Sequence, residues 1–402
     1  MNRISERIRY VGVNDYSKKL FEGLWPLPYG VSYNSYLVVD EKVALVDTVG
    51  DGFEVEFIDN IKSEIGNRRI DYLIVNHMEP DHSALISIIR ELYPGIMIVA
   101  DAKAVPMLKG YHSIAEDEIL VVRDGDSLSL GSCSLDFHLT PMVHWPETMM
   151  TWCAKEQTLF SGDGFGSFGA LEHGITDRQI ASAARSDDGF KDTFSMYKDE
   201  MMRYYADIVG KYGLPVQGAL KKLAGLPIAR ICSTHGPVWE EQIEEVIGIY
   251  DRMSRYEAEK GVCIVYASMY GNTAKAAHSL ARELAARKVP FAIHDLAGYD
   301  GISAALGDVF KYETIAVGSP TYNGSIFPPV ETFMRALQQR QVKFRKFFCF
   351  GSYTWASASI RLLTEMAEGL GYEILAPGKP FPQAFSTEKC NMAAVAELMK
   401  LD

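Results

Sequence analysis

Ile74–Ile86 reads IVNHMEPDHSALI, and its centre places His77, Glu79, Asp81 and His82 within six residues, between an apolar run and an amphipathic one. The run before it, YLIVN, has the composition of a strand, and a helical pattern begins near Ser83. The polar group therefore falls in a strand-end loop, the kind of place where sites form on a rigid scaffold. His77, Glu79 and Asp81 alternate with period two, so an extended loop would point all three the same way. Asp81 has a plainer reading as a cap for the following helix.

Residues elsewhere weigh against that plainer reading. His144 in TPMVHWPET, Asp163 in LFSGDGFG and His235 in ICSTHGPVW each stand where a β-type run stops, beside Gly or Pro. With His77, Glu79 and Asp81 they make a set of imidazoles and carboxylates sufficient for two metal ions that share a carboxylate. A single ion would not need so many ligands.

The chain around this set divides in two by texture. At 402 residues it is long enough for two domains with separate cores. Its first half has short strand-like runs at 36–39, 43–47, 72–76, 96–100, 119–122, 133–139, 149–153 and 158–161, with a helical pattern at 84–92 and longer helical stretches from Asp187 to Lys222. After a charged helical segment, 240–260, strand and helix alternate: VCIVYA, a helix at 273–287, FAIHD, TIAVGS, a helix at 330–337, KFFCFG, a helix at 356–370 and a C-terminal helix. Such alternation predicts a doubly wound parallel sheet covered on both faces. The expected division is 1–257 and 258–402.

Composition narrows the function. A formal net charge of −12, with no Lys/Arg-rich run, argues against nucleic acid as a partner. No stretch approaches the roughly eighteen apolar residues of a membrane span, and the first residues lack a signal-peptide pattern, so a cytoplasmic protein is expected. The six cysteines contain no Cys-x-x-Cys pair, which disfavours a disulfide framework, a zinc ribbon or a Cys-ligated iron centre.

In the second half, VYASMYGNTAKAA runs from an apolar strand through a loop of small and hydroxyl residues into a helix. Ser268, Asn272 and Thr273 offer donors, Gly271 lets the backbone approach closely, and the helix start adds free N–H groups, a nest suited to a phosphate monoester. It is neither G-x-x-x-x-G-K-[ST] nor G-x-G-x-x-G. Two further loops, SPTYNGS (319–325) and GSYTWAS (351–357), follow strands of the same sheet and bring Tyr322, Tyr353 and Trp355 among Gly, Ser and Thr. Loops at the carboxyl ends of such strands converge on one crevice, where flat apolar surface and backbone donors suit a ring system.

On these three loops the second half resembles flavodoxin over roughly residues 260–402. The resemblance implies FMN, with Ser268, Met269, Tyr270, Gly271, Asn272 and Thr273 at its phosphate end and Pro320, Thr321, Tyr322, Asn323, Gly324, Ser352, Tyr353, Thr354 and Trp355 around the ring. The first half, about 30–240, is similar to the metallo-β-lactamase superfamily, an αββα sandwich whose usual motif is H-x-H-x-D-H followed by a distant His, Asp and His. Glu79 stands where the hydrolases carry histidine. A carboxylate there adds negative charge and a harder ligand, favouring iron over zinc, which has no redox chemistry.

Both halves together resemble the flavodiiron proteins. That resemblance implies His77, Glu79 and His144 on one iron, Asp81 and His235 on the other, Asp163 between them, and His82 outside the ligand set. It also implies reduction of O2 to water, of NO to N2O, or of both. The expected donor is a separate one, such as rubredoxin or a reduced deazaflavin or nicotinamide system, and the expected assembly a head-to-tail homodimer or a dimer of dimers. The alternative is a binuclear zinc hydrolase with a regulatory flavodoxin-like domain. SYNSYLV (32–38) also resembles an early segment of the family, though its residues read by themselves only as turn formers. Trp25, Tyr197 and His173 are candidates for tuning the site that spacing alone does not place.

Overall fold

The computed structural model describes residues 3–186, 193–298 and 301–399. The expected helical start at Asp187 lies outside the described residues; helices are present at Asp177–Ser186 and Thr193–Tyr204. The chain groups into two compact units, one comprising residues up to Gly23, Leu27–Tyr205 and Leu214–Asp251, the other Leu24–Pro26, Ala206–Gly213 and the chain from Arg252 on.

In the first unit one sheet has the order Ile8–Tyr10, Tyr36–Val39, Val43–Val46, Tyr72–Ile74, Met97–Asp101, Ile119–Val122. The other runs Ser127–Ser129, Ser134–Leu139, Met149–Cys153, Thr158–Gly162, Arg230–Ser233. Central strands such as Val43–Val46 and Thr158–Gly162 are buried along their whole length, which explains why they read as continuous apolar runs rather than as alternation. Tyr36 of the first sheet meets Phe160 of the second, ring centroids 5.5 Å apart, in the sandwich core. Two features join the sheets near the site: Met149 N donates to Asn76 O at 3.0 Å, and Thr151 Oγ1 donates to Asn76 Oδ1 at 2.7 Å.

The second unit is a parallel sheet in the order Phe291–Asp295, Glu259–Tyr266, Tyr312–Gly318, Lys346–Tyr353, with Glu373–Ile374 and Lys379–Pro382 on the last edge. Alternate residues feed opposite faces. Val262, Ile264, Tyr266, Phe348 and Phe350 pack on the helices Asn272–Ala286 and Met392–Leu398. On the other side, Cys263 Sγ reaches Ala305 O and Cys349 Sγ reaches Ile360 O, both at 3.7 Å, in the helices Gly301–Lys311 and Ser359–Gly369. The helix Gly301–Lys311 was not expected from the sequence, where FAIHD and TIAVGS read as consecutive strands. Its core residues, Ala305, Leu306, Val309 and Phe310, follow helical spacing, but glycines at its first and seventh positions dilute the pattern.

The segment Ala206–Gly213 joins the second unit through hydrogen bonds. Arg340 Nε and Nη2 donate to Ala206 O and Asp207 O at 2.7 and 2.8 Å, and Ser303 Oγ donates to Asp207 Oδ2 at 2.5 Å. Among the described residues, no helix is long and apolar enough to cross a membrane.

Candidate metal centre and flavin cleft

The metal-ligand candidates of the first half other than Asp81 follow strand ends of the sandwich. His77 and Glu79 come after Tyr72–Ile74, His144 after Ser134–Leu139, Asp163 directly after Thr158–Gly162, and His235 after Arg230–Ser233. Gly162 takes φ 55°, a left-handed turn that a side chain would strain, just before Asp163. These residues converge into two neighbouring clusters: His77, Glu79, His144 and Asp163 form one, and Asp81, His82 and His235 form the other.

In the first cluster Glu79 Oε2 lies 3.3 Å from His77 Nε2 and 3.1 Å from His144 Nε2, while Asp163 Oδ2 lies 3.0 Å from His144 Nε2. In the second, Asp81 Oδ2 lies 3.3 Å from His235 Nε2 and Asp81 Oδ1 lies 3.3 Å from His82 Nε2. Asp163 Oδ1 faces this side, 2.9 Å from His82 Nε2 and 3.8 Å from His235 Nε2. One carboxylate thus presents an oxygen to each cluster, the arrangement a shared ligand requires.

The period-two expectation is only partly met. His77 and Glu79 turn to the first cluster, but Pro80 starts a short helix, Pro80–Ser83, and Asp81 in its first turn faces the second. Nor does Asp81 cap that helix. Both its carboxylate oxygens are buried without a hydrogen bond among the described residues, as are His82 Nε2 and His235 Nε2. Buried lone pairs left facing one another are costly, and a cation among them removes the cost, so the donor set fits a metal. The mix of imidazole and carboxylate, with no thiolate, suits a non-haem iron pair.

Neighbouring groups fix which ring nitrogens are free. His235 Nδ1 donates to Ser32 O at 2.7 Å, and His77 Nδ1 donates to Glu147 Oε1 at 2.8 Å, leaving both Nε2 atoms for a metal. Glu147 Oε1 also accepts from Met78 N at 3.0 Å. His82, by contrast, has no hydrogen-bond partner for Nδ1 among the described residues, so nothing orients its ring in that way. The structure nonetheless brings His82, left outside the expected ligand set, into the second cluster.

The charge balance shows the pull of the carboxylates. Burial opposes a charged imidazole, yet Asp81 and Asp163 push His82 up to about 9, and hydrogen bonds with Asp163 and Glu79 push His144 up to about 9. Burial would raise Asp163 and Glu79, but the surrounding imidazoles hold both below the usual carboxylate range. Metal uptake at such a cluster displaces protons and is therefore pH-dependent.

The residues 32–36 acquire a chemical role. Besides Ser32 O, Ser32 Oγ accepts from Gly236 N at 2.8 Å, Asn34 Nδ2 donates to Ser233 O and Gly236 O at 2.9 and 2.8 Å, and Tyr36 Oη donates to Ser233 O at 2.6 Å. They clasp the loop that carries His235. Aromatic rings wall the same histidine: Phe21 at 5.2 Å, Tyr204 at 5.5 Å and Tyr33 at 5.8 Å between centroids. The buried Tyr204 hydroxyl has no partner among the described residues, and after burial the carboxylates Asp163, Glu79 and Asp81 are the strongest influences keeping it protonated. Tyr204 was not foreseen from the sequence. Of the three candidates that spacing left unplaced, Tyr197 Oη donates to Ala170 O at 2.5 Å, His173 lies 3.6 Å from Glu172, and the Trp25 ring lies under the Arg340 guanidinium at 4.7 Å.

In the second unit a cavity of about 380 Å³ opens where the loops after Glu259–Tyr266, Tyr312–Gly318 and Lys346–Tyr353 meet. It is lined by Ser268, Met269, Tyr270 and Asn272, by 320–324, and by 352–355, all expected, by Ala356 of the expected loop 351–357, and by Gln383, which was not expected. Thr273 lies behind this lining, its Oγ1 sharing a hydrogen bond of 3.1 Å with Ser352 Oγ. Gly271 takes φ 82° at the start of the helix Asn272–Ala286, where no Cβ strain arises. Gly351 is needed for space, because a Cβ there would stand 1.8 Å from Ser319 O. The free N–H groups at the helix start, the hydroxyls and the flat apolar faces fit a flavin mononucleotide.

Two family models match the chain. Residues 31–236 match the model of the ODP family beta lactamase, and residues 264–391 match flavodoxin. The chain is 31% identical to a nitric oxide reductase of Moorella thermoacetica over 383 residues, covering 94% of this chain and 92% of that protein. Among solved structures it is similar to the rubredoxin oxygen:oxidoreductase of Desulfovibrio gigas, with TM-score 0.88, 26% identity and coverage of 99% and 97% of the two chains. It shares its fold with the flavodiiron protein of Giardia intestinalis, with TM-score 0.89, 24% identity and coverage of 99% and 96%.

Proposed function

The chain belongs to the flavodiiron proteins, and from that premise we propose that it passes electrons through FMN to a non-haem diiron site that reduces O2 to water, NO to N2O, or both. The observation that carries this reading is the pair of clusters that share Asp163, with Glu79 in the first. Bound there, iron supplies redox-active positions for a diatomic gas, and FMN supplies one- and two-electron carriage.

The protein's own groups do the positioning. We assign His77, Glu79 and His144 to one iron, Asp81 and His235 to the other, and Asp163 to both, with His82 within reach of the second. Glu147 and Ser32 O hold two of the imidazoles in the tautomer a metal needs. Phe21, Tyr33 and Tyr204 exclude water around His235, and the Tyr204 hydroxyl, buried without a partner among the described residues, is a donor free to meet a bound gas molecule. In the flavin part, Ser268–Thr273 take the phosphate, while Pro320–Gly324 and Ser352–Trp355 surround the ring.

We place the iron-holding part at 1–257 and the flavin-holding part at 258–402. Tyr270 and Trp355, each 89% exposed at the rim of the flavin cleft, support an assembly in which a second copy covers that rim, as in a head-to-tail homodimer or a dimer of dimers. The donor is a separate cytoplasmic one, such as rubredoxin or a reduced deazaflavin or nicotinamide system. A binuclear zinc hydrolase is disfavoured by Glu79 and by the flavin cleft. Metal analysis with an absorption spectrum tests the reading: two irons and one FMN per chain are expected, whereas two zinc ions in a colourless protein would overturn it.

A further inference from the structure

The helix Asn272–Ala286 leaves the flavin cleft at Gly271, and its outer face carries Lys275, His278 and Arg282, spaced so that each turn stacks on the last. All three are exposed and, with Gly271, Ala274 and Phe385, they line a shallow groove. Three other arginines of this unit each pair with a glutamate four residues away: Arg335 with Glu331, Arg361 with Glu365 and Arg287 with Glu283. Lys275 and Arg282 have no ion pair among the described residues, and the contact of His278 is with the neutral Tyr266 hydroxyl at 3.4 Å. This cationic stripe stands on a chain whose formal net charge is −12. An acidic macromolecule is repelled by most of such a surface and drawn to this stripe, which orients it as well as attracting it.

We propose that Lys275, His278 and Arg282 form the docking face for a small acidic electron-carrier protein that reduces the flavin, an inference that rests on the flavodiiron reading. Gly271 belongs to both the groove and the phosphate loop, so a carrier seated there lies at the edge of the cleft. Phe385 gives the patch an apolar centre, and its backbone N is held by Asn272 Oδ1 at 3.3 Å, which ties the groove floor to the same loop. At about 1.5 Å of rise per residue the stripe runs about 10 Å from Lys275 to Arg282, a span suited to an extended acidic patch. A reduced nucleotide would instead want phosphate-directed backbone N–H groups converging on one point, whereas Lys275 and Arg282 stand about two turns apart. Each encounter oxidises the carrier by one electron and reduces the flavin by one; no bond is made.

The test uses the holoenzyme without gas, following FMN reduction by stopped flow with a reduced rubredoxin of net negative charge, and in parallel with dithionite and with NADH. For K275E/R282E the second-order rate with rubredoxin should fall at least about tenfold and its decline with added salt should be abolished, within the range electrostatic steering commands. The dithionite rate should not change. An R335E control on another helix should behave as the parent. An unchanged rubredoxin rate would overturn the proposal, as would an equal loss with dithionite, which would mean a disturbed flavin site. Reduction by NADH that alone is salt-sensitive and lost in the variant would place a nucleotide there instead. Because no gas is present, absence of O2 or NO turnover would count against the flavodiiron reading and not against the docking face.

Discussion

Glu79 sits between His77 and His144 with its carboxylate held ionised by both rings, so exchanging it for histidine would remove a negative charge and a hard oxygen from a cluster that already has two imidazoles. E79H should load zinc in preference to iron at the first position and lose most gas reduction; unchanged iron content and turnover would contradict the role given to Glu79. Glu147 acts at one remove. E147Q keeps the shape beside His77 Nδ1 but removes the charge that the ring donates to, and should weaken iron retention against a chelator by about 10–100-fold. At this scale the sequence was legible where ligand-type residues stood at strand ends. It was silent on Glu147, whose partner is seventy residues away, and on Tyr204, one tyrosine of 21 inside an ordinary helical pattern. His82 was visible but not assignable, since only the fold shows that its Nε2 points at Asp163.

Two connections between elements hold the site together. Asp40, at the end of Tyr36–Val39, accepts from Ser132 Oγ at 2.9 Å and from Cys133 N at 2.7 Å, pinning the second sheet's hairpin to the first sheet. Burial would raise the Asp40 carboxyl, but these bonds and Arg7 hold it below its ordinary value. A depressed carboxyl contributes stability above its unfolded pKa, about 3.9, and loses it as pH falls through the folded value. D40N should therefore cost on the order of 1 kcal/mol near neutrality, and its difference from the parent should shrink below about pH 4, read by unfolding at a series of pH values. The second connection is Asn34, buried between the first sheet and the His235 loop. N34A orphans Gly236 O and removes one of the two donors to Ser233 O, should cost about 1–3 kcal/mol, and should empty the second metal position before the first in a chelator titration. The SYNSYLV segment looked like turn formers because its polar side chains find partners about two hundred residues away. The pattern of His77, Glu79 and Asp81 misled in the opposite sense: Pro80 begins a helix where an extended chain was expected, and Asp81 swings to the second cluster.

The molecule as a whole is two sites on two scaffolds, and most of that plan is readable in the chain because each scaffold repeats a period: continuous buried strands in the first half, strand and helix alternation in the second. Less readable are the short segments Leu24–Pro26 and Ala206–Gly213, which belong to the second unit through contacts such as Arg340 to Ala206 O that no local pattern announces. Separate scaffolds predict separate loading. G351A, whose added Cβ would collide with Ser319 O, should yield protein that loses FMN by absorption yet retains its iron; loss of both together would show that the sites are not independent. The central claim is that electrons held on the flavin reach a diatomic gas through the metal clusters. It is tested most directly by reducing the FMN anaerobically in fully iron-loaded protein, adding O2 or NO, and following flavin reoxidation beside gas consumption. Rapid reoxidation with at least one gas, abolished when the iron is removed, is the predicted result; a flavin that stays reduced under both gases with the iron fully loaded would contradict the account.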